Sequence, residues 1–281
     1  MKRIAICCDG TWDSPQSDTN VFKISNLIKF AEGVQVVHYH SGVGASGNIF
    51  QKLAGGITGA GLDDNIMEAY EYIVANYLDN DEIYLFGFSR GAYTARSLAG
   101  FIRKCGILKP MYKDKIKEAF ALYRKRDEDN GADSDEAVKF RKDYSIEVGI
   151  KFIGVWDTVG DLGIPLKWFQ FINANKYKFH DVELSSKVKF AYHAIGVDEH
   201  REIFDVTPWK RSKNATEETI QTIEQVWFTG AHGNIGGGLN EKNASGGMLS
   251  NHTLKWMIEK AKGAGLTFNE IGDLPFDCIN D

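Results

Sequence analysis

Hydrophobic positions in this chain fall in short runs separated by amphipathic stretches. Five runs of aliphatic, aromatic and β-branched residues predict strands at Arg3–Cys8, Val34–Tyr39, Glu82–Phe88, Lys151–Trp156 and Gln225–Thr229, each closed by Gly, Asp, His or Ser. A sixth, Val188–Val197, is longer and more mixed. Ile83–Phe88 is apolar on nearly consecutive positions, as a central strand covered on both faces requires. Between the strands the spacing turns helical. Ile66, Met67, Tyr70, Ile73, Val74 and Tyr77 share one face behind Asp63 or Asp64, either of which can cap a helix. Alternating strands and helices predict an α/β fold, with a mostly parallel sheet and helices on both faces.

Two stretches break the alternation, and both read as insertions over the strand ends. Residues from about 109 to 147 read as a helical, solvated insertion, since Lys109–Tyr144 is dense in charge. Asp161–Ser186 holds Trp168, Phe169, Phe171, Tyr177 and Phe179 in an irregular setting and reads as a cap over the strand ends. No Pro- or Gly-rich linker divides the chain, so one domain is expected over residues 1–281.

Composition narrows the partners. With 43% hydrophobic and 25% charged residues, the 281-residue chain can bury a sizeable core. A net charge of -5 without clustered Lys and Arg argues against nucleic acid and against electrostatic docking on an anionic membrane. Cys7, Cys8, Cys105 and Cys278 match neither zinc spacing nor a disulfide framework, which suggests reduced thiols and no metal or cofactor. Ile4–Cys8 is too short for a signal core, and no run approaches a membrane span. The expectation is a protein that is cytoplasmic as synthesised and that would need a leaderless route for export.

The chemistry concentrates at Gly87-Phe88-Ser89-Arg90-Gly91. G-x-S-x-G alone is weak, arising by chance in roughly one chain in six of this length and glycine content. Here it directly follows a strand and opens a helix with Ala92, Ala95, Ala99 and Ile102 on one face, which is the context a nucleophile elbow needs. The tight turn strains the serine backbone, and Gly87 and Gly91 remove the Cβ atoms that would collide. Ser89 is the expected nucleophile and the Arg90 N–H an oxyanion donor. A second donor is expected from Gly10 or Thr11, in the loop Cys8-Asp9-Gly10-Thr11-Trp12, with Asp9 bracing that loop.

A serine nucleophile needs a base and an orienting acid, in the chain order Ser, Asp or Glu, His. Asp157 ends the strand Lys151–Trp156, and Asp198 ends Val188–Val197. Strand count favours Asp198; whichever acid does not serve the histidine would be structural, for example paired with Arg201. His232 follows the last strand in a glycine-rich loop and is the expected base; His252 reads as a helix cap. Two other patterns are weaker. Gly42-Val43-Gly44-Ala45-Ser46-Gly47 has the spacing of a dinucleotide loop but does not follow the first strand. Cys7-Cys8-Asp9-Gly10-Thr11 resembles an Mg-dependent phosphatase motif but carries Cys7 where that motif needs its nucleophilic Asp.

CDGTW, FGFSRGAYTARSLAGFI, GVWDTVGDLGIP, FHDVELS, AYHAIGVDEHR and VWFTGAHGNIGGG run in order from residue 8 to about 238, joined by a GVG after the second strand. Together they resemble the catalytic domain of the first family of type VI secretion lipase effectors and related uncharacterised hydrolases of bacteria and fungi. The resemblance implies an α/β-hydrolase fold, a Ser89–Asp157–His232 triad and acyl-ester cleavage in phospholipids. It thus favours Asp157 as the acid, against the strand count. Asn234 stands where the family usually has Asp. The substrate expected is a lipid or small ester whose acyl chain is gripped at the mouth of the site by Trp168, Phe169 and Phe171, and peripheral membrane contact is a further expectation. The alternatives are an esterase without lipid preference and a non-catalytic binding module on the same scaffold.

Overall fold

The structure is a computed structural model that describes residues 1–10, 13, 17–42, 60–125, 131–158, 183–201, 206–212, 221–238 and 246–270. Its strands are β1 (Arg3–Cys8), β2 (Gln35–His40), β3 (Glu82–Phe88), β4 (Ile107–Leu108), β5 (Ser145–Ile146), β6 (Ile150–Trp156), β7 (Glu183–Leu184), β8 (Val188–Gly196), β9 (Lys210–Arg211) and β10 (Thr222–Phe228). Six of them form one sheet in the order β10-β8-β6-β3-β1-β2, and every neighbouring pair in it is parallel. This is the core of an α/β-hydrolase fold. The chain passes from β1 out to β2 and then returns to the other side of β1 as β3. Connections on either side of that point leave from opposite faces, which opens a crevice beyond the C-terminal ends of β1 and β3.

Alternate side chains of each strand feed two separate cores. Ile4, Ile6, Ile83, Leu85, Ile153 and Val155 pack under the helices Ala60–Asn76 and Arg90–Cys105. Ala5, Cys7, Tyr84, Phe86, Phe152 and Trp156 pack under the helices Asn20–Leu27 and Gly246–Gly263. The first of these helices begins at Ala60, a turn before the expected start. Asp63 lies inside its first turn and pairs with Arg124. The expected last strand begins three residues early, at Thr222. It is an edge strand whose Glu224 faces outward to Lys260 at 2.7 Å, so its apolar signal is weak there.

Among its described residues the charged stretch 109–147 holds the α-helices Ile116–Arg124 and Asp135–Tyr144. It lies away from the crevice. It follows the C-terminal end of the helix Arg90–Cys105 and leads into the start of β6, both at the sheet edge opposite Ser89. It is anchored by rings: Phe101 stacks on Tyr70 at 4.1 Å and meets Phe120 at 5.5 Å and Tyr123 at 5.3 Å. Cys7, Cys8 and Cys105 are free and buried. Burial and the neighbouring Asp9 push the Cys8 thiol up to about 12, which leaves it protonated and inert. The fully buried Cys7 cannot reach the crevice as a nucleophile.

At Gly91 the helix Arg90–Cys105 comes directly against the backbone at the end of β1. A Cβ on Gly91 would overlap the Cys8 carbonyl oxygen and sit 2.6 Å from the Cys8 carbonyl carbon. We expect Gly91→Ala to destabilise the protein by about 1–3 kcal/mol, because neither backbone can yield without moving the sheet. Thermal unfolding checks this. A melting temperature equal to that of the wild type would mean that the helix is not pressed against β1.

Candidate active site

Ser89 joins β3 to the helix Arg90–Cys105 with φ 55 and ψ −121, a conformation that costs a non-glycine residue about 1–3 kcal/mol. The strain is held from several sides. The Ser89 N–H donates to the Trp156 carbonyl at 3.1 Å, and the Ser89 carbonyl accepts from Tyr93 N at 3.2 Å. Gly87 lies under the helix, where a Cβ would be 2.6 Å from the Ala92 Cα. Arg90 then opens the helix, where first-turn N–H groups have no carbonyl four residues back to bond.

Asp157 follows β6 and is fully buried, with φ 42. Its N–H donates to the Ala194 carbonyl at 2.8 Å, and its Oδ1 accepts from Gly196 N at 3.0 Å. The turn thereby aims Oδ2 across the strand ends. His232 opens the short helix His232–Gly236 beyond β10, and its Nδ1 lies 2.6 Å from Asp157 Oδ2. Its ring rests on Phe88, with centroids 4.7 Å apart. A Cβ on Gly236 would strike the same Phe88 ring, so that glycine lets the histidine helix close onto β3.

Asp198 does not face the imidazole. Its Oδ2 accepts from Gly230 N at 2.7 Å, and its N–H donates to Gly230 O at 3.2 Å, which ties the turn before His232 to the end of β8. Nor does it pair with Arg201. That guanidinium binds Glu199 with two contacts, at 2.8 and 2.6 Å. The fork holds Glu199 ionised, with its carboxyl drawn down to about 2. Glu199 Oε2 also accepts the backbone N–H of His232 at 3.2 Å. Asn234 closes the loop, its Oδ1 accepting from Ala231 N at 3.1 Å.

Three supports had no signal in local sequence. Glu199 is one. The second is His193, fully buried on β8, whose Nε2 accepts from Thr158 N at 3.1 Å, next to Asp157. Burial, then the nearby Arg96, push this imidazole down to about 3, so it stays a neutral acceptor. The third is Asp13, beside Gly10. His252, expected as a cap, lies on an exposed face inside the helix Gly246–Gly263.

Asp9 is buried at the end of β1 and accepts from Thr19 Oγ1 at 2.6 Å, Tyr39 OH at 2.8 Å and Gly10 N at 2.8 Å. It braces the loop as expected. The Gly10 N–H is thus turned toward the Asp9 side chain rather than into the crevice. Thr11, Trp168, Phe169 and Phe171 lie outside the described residues, as does most of the glycine pattern at 42–47. Among the described residues no group of three or more His, Cys, Asp or Glu could hold a metal ion, and no helix is long and apolar enough to cross a membrane.

Comparison with known proteins shows the family. The family model of the type VI secretion (T6SS) phospholipase effector Tle1-like catalytic domain matches residues 2–260. An uncharacterised protein of Saccharomyces cerevisiae is 31% identical over 223 residues, which is 71% of this chain and 31% of that protein. A crystal structure of an uncharacterised protein from Pseudomonas aeruginosa superposes with a TM-score of 0.53 at 16% identity, over 95% of this chain and 46% of that one. A Tle1 effector bound to the VgrG spike of the type 6 secretion system gives 0.46 at 19% identity, over 84% of this chain and 51% of that one. The chain spans about half or less of the length of these relatives. With the matching model covering the whole parallel sheet and both loops that carry Ser89 and His232, the chain belongs to the Tle1-like catalytic-domain family of type VI secretion phospholipase effectors.

Proposed function

We propose that this chain is a serine esterase that cleaves acyl esters of lipids through Ser89, His232 and Asp157. The observation that carries the reading is the buried 2.6 Å contact between His232 Nδ1 and Asp157 Oδ2, at the same sheet edge as the strained Ser89. Asp157 accepts a hydrogen bond from the Nδ1–H and so leaves the Nε2 lone pair to act as base. His232 takes the Ser89 proton as Oγ attacks the ester carbonyl. The carbonyl oxygen becomes an oxyanion, to which the Arg90 N–H and the loop after β1 offer donors. Collapse expels the alcohol, which leaves with the proton from His232. Water, activated by the same histidine, then releases the acid from the acyl-enzyme.

The family description supports phospholipid as the substrate class. The segment 161–186 fits that role on sequence grounds. It follows Asp157, so it starts at the catalytic edge, and it crowds Trp168, Phe169 and Phe171 into four positions. Aromatic rings suit the boundary between lipid and water, and here they would grip the acyl chain and touch the membrane surface.

Hydrolysis of phospholipid vesicles and of short acyl esters by the Trp168→Ala/Phe169→Ala double variant tests this. Vesicle hydrolysis should fall by roughly tenfold or more, since each lost apolar contact costs about 1–3 kcal/mol. Short esters should be spared. Equal loss on both substrates with a lower melting temperature would make the segment a packing element and leave an esterase without lipid preference.

A further inference from the structure

The crevice holds a carboxyl to which the serine mechanism assigns no task. The Asp13 N–H donates to Gly10 O at 3.1 Å, and its carbonyl accepts from Gly42 N at 3.1 Å, which ties the residue between the end of β1 and the chain beyond β2. A carbon placed on Gly10 would lie 3.4 Å from Ser89 Cβ and would overlap Asp13 Oδ2. Carboxyl and nucleophile therefore border the same space above Gly10. A carbon on Gly238, in the glycine run behind His232, would lie 3.5 Å from Asp13 Oδ1. The carboxyl is wedged between the first-strand loop and the histidine loop. The Gly10 N–H beside it is already given to Asp9 Oδ1.

We propose that Asp13, as the neutral acid, donates a hydrogen bond from its carboxyl O–H to the carbonyl oxygen of the bound ester, making the second oxyanion contact opposite the Arg90 N–H. This deepens the serine-esterase reading and rests on it. No bond to Asp13 forms or breaks; its proton stays in place while negative charge grows on the substrate oxygen and is withdrawn again. The surroundings keep that proton on. Asp9 faces the carboxyl from β1, Tyr39 from β2 and Arg90 from the helix Arg90–Cys105. Burial first, then the Asp9 charge, push the Asp13 carboxyl up to about 7, against the opposing Ser17 hydrogen bond and Arg90. An ionised Asp13 would repel the oxyanion in a poorly solvated crevice, where charges are weakly screened. The donor is therefore present below pH about 7 and lost as pH rises through it.

The test measures kcat and KM across pH on a neutral short ester, and KM on choline and ethanolamine esters, for wild type, Asp13→Asn and Asp13→Ala, with covalent labelling of Ser89 by a fluorophosphonate as a separate reading. Asparagine keeps an N–H donor at the same reach and cannot ionise. Wild-type kcat should decline above pH about 7, and Asp13→Asn should lose that decline. Below it, Asp13→Ala should lose about 100–1,000-fold in kcat with KM little changed, as for removal of one oxyanion donor. Asp13→Asn should exceed it by at least about tenfold, since an amide donor replaces the acid. An unaltered decline in Asp13→Asn, or wild-type kcat in Asp13→Ala, overturns the proposal. So does a KM rise in Asp13→Asn confined to choline or ethanolamine esters, which would mark an ionised carboxylate gripping a cation. Normal labelling with either result sinks this assignment alone, whereas no labelling of the wild type sinks the serine reading with it.

Discussion

Ser89→Ala is expected to lower ester hydrolysis by about a million-fold and to end covalent labelling by a fluorophosphonate, while the protein stays folded. The size of the effect follows from how the proposed triad divides its work. His232 and Asp157 have no reaction to assist once the hydroxyl is gone, so removing the nucleophile costs as much as removing all three groups. What remains comes from the crevice polarising the ester for attack by water. Folding should survive, because Ser89 makes its structural bonds with its backbone: N to Trp156 O and O from Tyr93 N. Its side chain makes no capping bond to the helix it begins. The backbone strain also gives a second readout. Ser89→Gly should lose activity equally yet melt higher than Ser89→Ala, because glycine adopts φ 55 without the Cβ penalty. Wild-type activity in a folded Ser89→Ala protein would overturn the mechanism.

The elements that carry this prediction were legible because each is forced locally. A strand that must turn into a helix within one residue needs glycine on either side of the turn, so Gly87 and Gly91 mark Ser89 directly. β1 and β3 were legible to the residue because both faces are buried and neither carries a polar interruption. The start of the helix Gly246–Gly263 is hidden because its first turn contains Gly246 and Gly247, weak helix formers, so that His252 looks like a cap. The choice between Asp157 and Asp198 was not legible locally. Both end parallel strands at the same edge, and residue spacing cannot show which carboxylate crosses it. The φ of 42 at Asp157 and the Gly196 N–H on its Oδ1 decide the direction, and both depend on a neighbouring strand. Glu199, His193 and Asp13 were missed for the same reason: each acts on a backbone or a space contributed by a distant part of the chain.

Asp157→Asn should lower kcat by roughly ten-thousand-fold with KM nearly unchanged, because it supplies the wrong proton pattern in an intact geometry. Gly196 N donates to Asp157 Oδ1 at 3.0 Å, so the amide oxygen of asparagine takes that place. The NH2 group is then left facing His232 Nδ1, where Oδ2 had been at 2.6 Å. Two donors cannot share that contact. The imidazole answers by moving its proton to Nε2, which presents Nδ1 as acceptor and removes the lone pair that Ser89 needs. Burial makes the preference strong, since an unmatched donor in this fully buried position finds no water to bond. Asp198→Asn is the control. The amide oxygen can still accept the Gly230 N–H, now held at 2.7 Å, so the loop before His232 keeps its brace and the loss should stay within about tenfold, as for a neutral hydrogen bond replacing a charged one. Steady-state kinetics on a short ester separates the two. A larger loss in Asp198→Asn than in Asp157→Asn would reverse the assignment of the acid.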